Sequence, residues 1–285
     1  MVDAVLLILR EVLEAALILS LLLALSFKLQ LQFRWSLVAL GAGIIGSWLL
    51  AHYAYEIAAA MEGTGQELLN AALYTIVILS LITLGLLFVP LVFKTPQVFT
   101  AEENNPAGID KALASNSHHP LMYYLFIVIV SFSLAREASE IWIYLSAFAN
   151  KPDYLSSALV GSAIGAGIGL SLGAITYFVF AFMPKKIFLP IFLAVITLLA
   201  GGLSLQVAKQ LMQIGWLDSG APLWDSAFLV DEHSWVGELL YALLGYDARP
   251  TPVQGAFYLL TIAPILLASL WHAWGVHLTS SSKHP

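Results

Sequence analysis

The sequence predicts an all-α integral membrane protein with seven transmembrane helices, an inverted three-plus-three repeat and one added C-terminal helix. Three observations predict it. The chain of 285 residues is 60% hydrophobic and only 11% charged, with a mean hydropathy of +0.86, where a soluble domain carries about 25% charged residues. Apolar runs long enough to span a bilayer, about 20 residues each, recur along it. Short motifs in the first three runs also reappear, in the same order, in the next three.

The runs fall at about 3–27, 35–60, 70–93, 121–149, 155–183, 187–211 and 253–277. The breaks between them carry turn and charge signals: Lys28 to Arg34, Glu62-Gly-Thr-Gly, the polar 94–120 stretch, Lys151-Pro152-Asp153 and Pro184-Lys185-Lys186. The last connection, about 212–252, is long and acidic. The N-terminus, MVDAVLLILREVLE, lacks a basic leader and reads as the first membrane helix.

Loop charge sets the orientation. Lys28, Arg34, Lys94, Lys111, Lys185, Lys186 and Lys283 fall on one side, and Lys151, Lys209 and Arg249 on the other. The first side is expected to be cytoplasmic, so the N-terminus lies outside and the C-terminus inside. The acidic connection, with Asp218, Asp225, Asp231, Glu232, Glu238 and Asp247, is then external. A net charge of -6 argues against nucleic acid as a partner. No cysteine is present, which removes disulfides, thiolate ligands and thiol catalysis.

The repeats are specific in combination. Arg10-Glu11-x-x-Glu14 recurs as Arg136-Glu137-x-x-Glu140, Gly41-Ala-Gly-Ile44 as Gly165-Ala-Gly-Ile168, and Leu79-Ser-Leu-Ile-Thr-Leu84 as Leu193-Ala-Val-Ile-Thr-Leu198. Their offsets are 126, 124 and 114 residues. Three crossings are odd in number, so a second copy runs in the opposite sense through the membrane, as in many transporters. The expected units are residues 1–112 and 120–211 for the two repeats, 212–252 for the external loop, and 253–285 for the seventh helix and cytoplasmic tail.

In R-E-x-x-E both glutamates lie on one helix face, and the arginine reaches the second glutamate four residues on. Each charge at a bilayer centre costs at least about 2.5–3.5 kcal/mol on insertion scales. Six such groups must therefore face one another, a water-filled path or an ion. Two facing motifs carry -2 from four carboxylates. That all-oxygen set suits a hard or borderline cation: ferric, ferrous, manganese, magnesium or calcium. Copper(I) is disfavoured, because neither motif holds Cys or Met. The competing structural reading is a buried salt bridge holding two helices together, but that would not need two acids per base.

The paired motifs resemble those of the oxidase-dependent iron permease family. Leu243-Leu-Gly-Tyr-Asp-Ala-Arg-Pro250 and Trp224-Asp225-Ser226 resemble the short bacterial members. The resemblance covers nearly the whole chain. It implies that Glu11, Glu14, Glu137 and Glu140 bind translocating iron, with Arg10 and Arg136 as motif partners. It implies iron as transported substrate, with no permanently bound cofactor, in a multi-pass protein of the cell (inner) membrane. It also implies a separate oxidase or periplasmic iron-binding protein as partner. The family motif has Gly-Leu between its glutamates, whereas here Val12-Leu13 and Ala138-Ser139 stand there.

Accessory metal roles are weaker expectations. They cover His52 with Glu56, four apart near the outer end of the second run, and Asp231-Glu232-His233 with nearby Glu238 in the external loop. His118-His119 reads as a polar helix boundary. Gly161, Gly165, Gly169 and Gly173 read as a close helix-packing stripe. Trp271, Trp274 and His272 read as an interfacial belt, as do Trp35 and Tyr53.

No G-x-x-x-x-G-K-[ST] motif is present, so direct nucleotide coupling is not expected. An intramembrane enzyme is disfavoured: no nucleophile–base pair or Glu-x-x-His signature accompanies the acids. The alternatives are a permease for another cation, such as manganese or lead, and a seven-helix receptor or structural component. The latter predicts neither doubled acids nor an inverted repeat.

Overall fold

The computed structural model describes residues 2–101, 120–148, 152–231, 234, 236–237, 240 and 245–281. Helices α1 (Val2–Lys28), α2 (Arg34–His52), α3 (Ala54–Ala59) and α4 (Gly65–Ala101) form the first part. Helices α5 (Pro120–Ser146), α6 (Pro152–Phe182), α7 (Lys185–Gln213) and α8 (Pro252–Ser281) complete it. There is no strand among the described residues.

Among the described residues, six helices are long and apolar enough to cross a membrane: Arg34–His52, Gly65–Phe93, Pro120–Ser146, Tyr154–Phe182, Lys185–Gln213 and Pro252–Trp274. Their outward faces carry large apolar side chains, among them Leu37, Ile45, Leu170, Phe178, Leu260 and Leu267. An aqueous surface does not sustain apolar patches of that extent, whereas lipid does. The chain is a multi-pass all-α membrane protein. Helix α1 has 27 residues, ample length for a crossing, but Arg10, Glu11 and Glu14 interrupt its apolar run.

Two expected boundaries move. The second run was expected to continue unbroken over 35–60, but α2 stops at His52, α3 follows, and a 3-10 turn closes at Gly63. There Met61, Glu62 and Gly63 adopt positive φ of 51°, 62° and 97°. A left-handed turn of this kind cannot continue a helix. The third run was expected over 70–93, but α4 extends over Gly65–Ala101.

Helices pair across the chain's two halves. Helix α1 packs most extensively on α6, α2 on α5, and α4 on α7, with α8 against α4 and α7. Glycines make these approaches close. A Cβ on Gly165 would lie 2.5 Å from the Val5 carbonyl oxygen, and one on Gly169 would lie 2.9 Å from Val12 Cγ1. On the other pair, a Cβ on Gly46 would lie 2.9 Å from Ala135 Cβ. The helix-packing reading of Gly165 and Gly169 holds. Dispersion between closely packed backbones is a main source of helix association in lipid.

The largest core cluster joins the second half of α1, from Ile18 to Leu25, to α4, α5 and α7. Phe88, Phe126, Phe188 and Phe192 lie within it, each fully buried. Trp35 belongs there too, so its assignment to an interfacial belt is corrected. It is 3% exposed, its indole N–H donates to Ser26 Oγ at 3.0 Å, and its ring meets Phe126 at 5.0 Å. Tyr53, Trp271 and Trp274 are exposed as a belt requires.

Candidate metal site

The two R-E-x-x-E motifs meet where α1 packs on α5, outside the largest core cluster, which begins at Ile18 on α1 and ends at Val130 on α5. Arg136 occupies the centre. Its Nη1 donates to Glu140 Oε1 at 2.7 Å, and its Nη2 donates to Glu14 Oε2 at 3.2 Å. Nη2 also bonds Glu137 Oε1 and lies 4.0 Å from Glu11 Oε2. One guanidinium thus faces the carboxylates of both motifs. Arg10 stands at the periphery, where its Nε donates to Glu14 Oε1 at 3.3 Å.

Burial divides the group. Glu11, Glu14, Arg136 and Glu137 are 5%, 7%, 5% and 2% exposed. The side chains of Arg10 and Glu140 are 33% and 32% exposed. A buried carboxylate costs several kcal/mol unless paired or coordinated. Glu11 Oε2 and Glu137 Oε2 are buried and make no hydrogen bond. The cluster therefore holds acceptor capacity beyond what its arginines satisfy, which is the donor chemistry a hard cation needs.

Glu11 and Glu137 also line a cavity of about 300 Å³. It lies among α1, α2, α5 and α6, and reaches from the acids to Ser20 and Gly173. Its other walls are apolar, including Ala15, Leu19, Leu134 and Ala166. Among the described residues, no three or more of His, Cys, Asp and Glu stand close enough together to hold a metal ion. The carboxylates converge on Arg136 instead.

Sequence reading missed Tyr74. The Arg136 guanidinium carbon sits 4.2 Å from the centre of its ring, and Tyr74 is 4% exposed. It comes from α4, outside both motifs, so no spacing rule links it to them. Glu67, two turns earlier on the same helix, has a buried Oε2 without a hydrogen bond and was also unmarked. Ser139 lies inside the second motif and donates back to the Arg136 carbonyl at 2.7 Å, so its hydroxyl is directed to its own helix.

His52 and Glu56 are exposed on either side of the α2–α3 break. The His52 ring stacks on Trp48 at 5.3 Å and meets Tyr53 edge-on at 4.9 Å. A break in the helix falls between the two residues. Asp231 is exposed, and its carbonyl accepts from the Ser234 hydroxyl at 2.6 Å. Glu232, His233 and Glu238 lie outside the described residues, as do His118 and His119.

The two loop segments that resemble the short bacterial members touch each other. Arg249 Nε donates to Asp225 Oδ2 at 2.9 Å, Ser226 Oγ and Tyr246 OH are 3.0 Å apart, and Ser226 N–H donates to the Ala248 carbonyl at 2.8 Å. Asp247 ties them to the helices: Lys209 Nζ lies 3.2 Å from its Oδ2, and Gln254 Nε2 donates to the same atom at 2.8 Å.

No family model matches the chain, and no solved structure does. The chain is 26% identical over 272 residues to the ferrous iron permease EfeU of Escherichia coli O6:H1, an alignment that covers 92% of this chain and 93% of that protein. The resemblance to iron permeases read along nearly the whole chain is matched by the extent of this alignment.

Proposed function

We propose that this protein is a permease that carries iron ions across the membrane through one site formed between its two R-E-x-x-E motifs. The observation that carries this reading is the convergence of Glu11, Glu14, Glu137 and Glu140, from two helices, around a single buried position. Similarity to a ferrous iron permease supports iron as cargo and transport rather than catalysis. Oxygen-only donors favour a hard or borderline cation, and ferrous iron is the first to test.

On this reading α1 is a seventh crossing, its charges sheltered against α5 and the glycine face of α6. The exchange of packing partners between halves, α1 on α6 and α2 on α5, supports an inverted repeat. Units at 1–112 and 120–211 fit that exchange. The acid cluster then lies within the membrane, N-terminus outside and C-terminus cytoplasmic. A negative-inside potential favours cation entry by about 2.3 kcal/mol per charge per 100 mV. Iron is substrate, not resident cofactor. A separate oxidase or periplasmic iron-binding protein would deliver it to the external face.

The test is radiolabelled iron uptake into proteoliposomes, with ferrous and ferric iron offered separately. Glu14→Gln and Glu140→Gln are each expected to abolish uptake while inserting and folding normally. Undiminished uptake in both would return the motifs to structural salt bridges.

A further inference from the structure

The site that faces the carboxylates of both motifs already contains a cation. Arg136 holds Glu14 and Glu140 at 3.2 and 2.7 Å, contacts Glu137 and lies 4.0 Å from Glu11. A metal ion drawing oxygens from both helices would need the same space. The two cannot share it, since close like charges repel strongly where the dielectric is low.

The surroundings of Arg136 are unequal. On the α4 side its guanidinium lies over the Tyr74 ring at 4.2 Å. The space left there, which Tyr74, Phe132, Ser133, Leu203 and one edge of Glu137 help to bound, is about 10 Å³, enough for at most one water. On the other side Glu11 and Glu137 front the cavity of about 300 Å³. A cation arriving along that cavity meets the acids first and Arg136 behind them. The oxygens Glu11 Oε2 and Glu137 Oε2 are buried and accept no hydrogen bond, so both have acceptor capacity to give an ion that opens the cluster.

We propose that Arg136 is a built-in counter-cation that iron displaces, and that Tyr74 is the positioning residue that sets how readily it yields. The inference rests on the transport reading above. A guanidinium over a desolvated aromatic face is held by the ring quadrupole as well as by its carboxylates. Removing the ring weakens the hold on Arg136 while every oxygen ligand remains. Iron then competes against a looser occupant and binds more tightly. A residue that only filled space would weaken binding when truncated, or leave it unchanged.

The experiment is anaerobic calorimetric titration of the purified full-length protein with ferrous iron, alongside proteoliposome uptake. Tyr74→Leu is expected to lower Kd about tenfold. Tyr74→Phe, which keeps an aromatic face, should stay within about twofold of wild type. Tyr74→Met fills similar volume without a ring and repeats the Leu result if Tyr74→Leu does not fold. An unchanged or weaker Kd in the ring-free variants overturns the inference. If wild-type vesicles take up iron in that case, the permease reading stands. Absence of both binding and uptake in wild type overturns both.

Discussion

The two R-E-x-x-E motifs are alike in sequence and unlike in place. Arg136 is sunk among the acids of both motifs, its side chain 6% exposed, and rests on Tyr74. Arg10 sits at the edge with its side chain 33% exposed, 3.3 Å from Glu14. The acids divide along a different line: Glu11, Glu14 and Glu137 are 5%, 7% and 2% exposed, while the Glu140 side chain is 32% exposed. A duplicated motif therefore gives a site with a centre and a rim. The difference comes from the third dimension, because α4 packs on α5 and supplies the ring beneath Arg136.

The largest effect should separate the two arginines. Arg136→Gln strands buried carboxylates without a partner, and such losses cost about 3–5 kcal/mol. Arg10→Gln removes a pair near the solvent limit, worth about 1 kcal/mol or less. Denaturant titration in detergent measures both. Equal losses would mean that the motifs are equivalent after all.

A smaller effect should separate the repeated glycines. Gly165 and Gly41 are counterparts in the repeat. A Cβ on Gly165 would press to 2.5 Å on the Val5 carbonyl, whereas one on Gly41 meets nothing within 4 Å. Gly165→Ala should cost about 1–3 kcal/mol by forcing α6 off α1. Gly41→Ala should change stability by no more than about 0.5 kcal/mol. Thermal unfolding of the two variants would sharpen the comparison, and a reversed order would break it.

Much of this was legible in the sequence because it was periodic or local. Hydropathy located the apolar runs, and identical charge spacing marked the acids on α1 and α5. Glycines at four-residue spacing foretold a close helix contact, and the structure shows that α1 is the partner. What was not legible depended on packing between distant segments. Trp35 lies just past a basic linker, which reads as an interface, yet α5 and Ser26 draw it into the core. Tyr74 carries no motif, and only the approach of α4 to α5 gives it a role. The break after His52 escaped notice because it falls at Tyr53, with no glycine or proline beside it.

The central claim is that both motifs form one site, and a double-mutant cycle on iron uptake tests it most directly. Glu14→Gln and Glu137→Gln would be measured singly and together in proteoliposomes, as initial rates at subsaturating iron. Groups that act as a unit are non-additive. The account predicts that each single change removes most of the uptake and that the double variant is no worse than the weaker single one. Independent losses that multiply in the double variant would contradict it, and would place the two acids in separate sites.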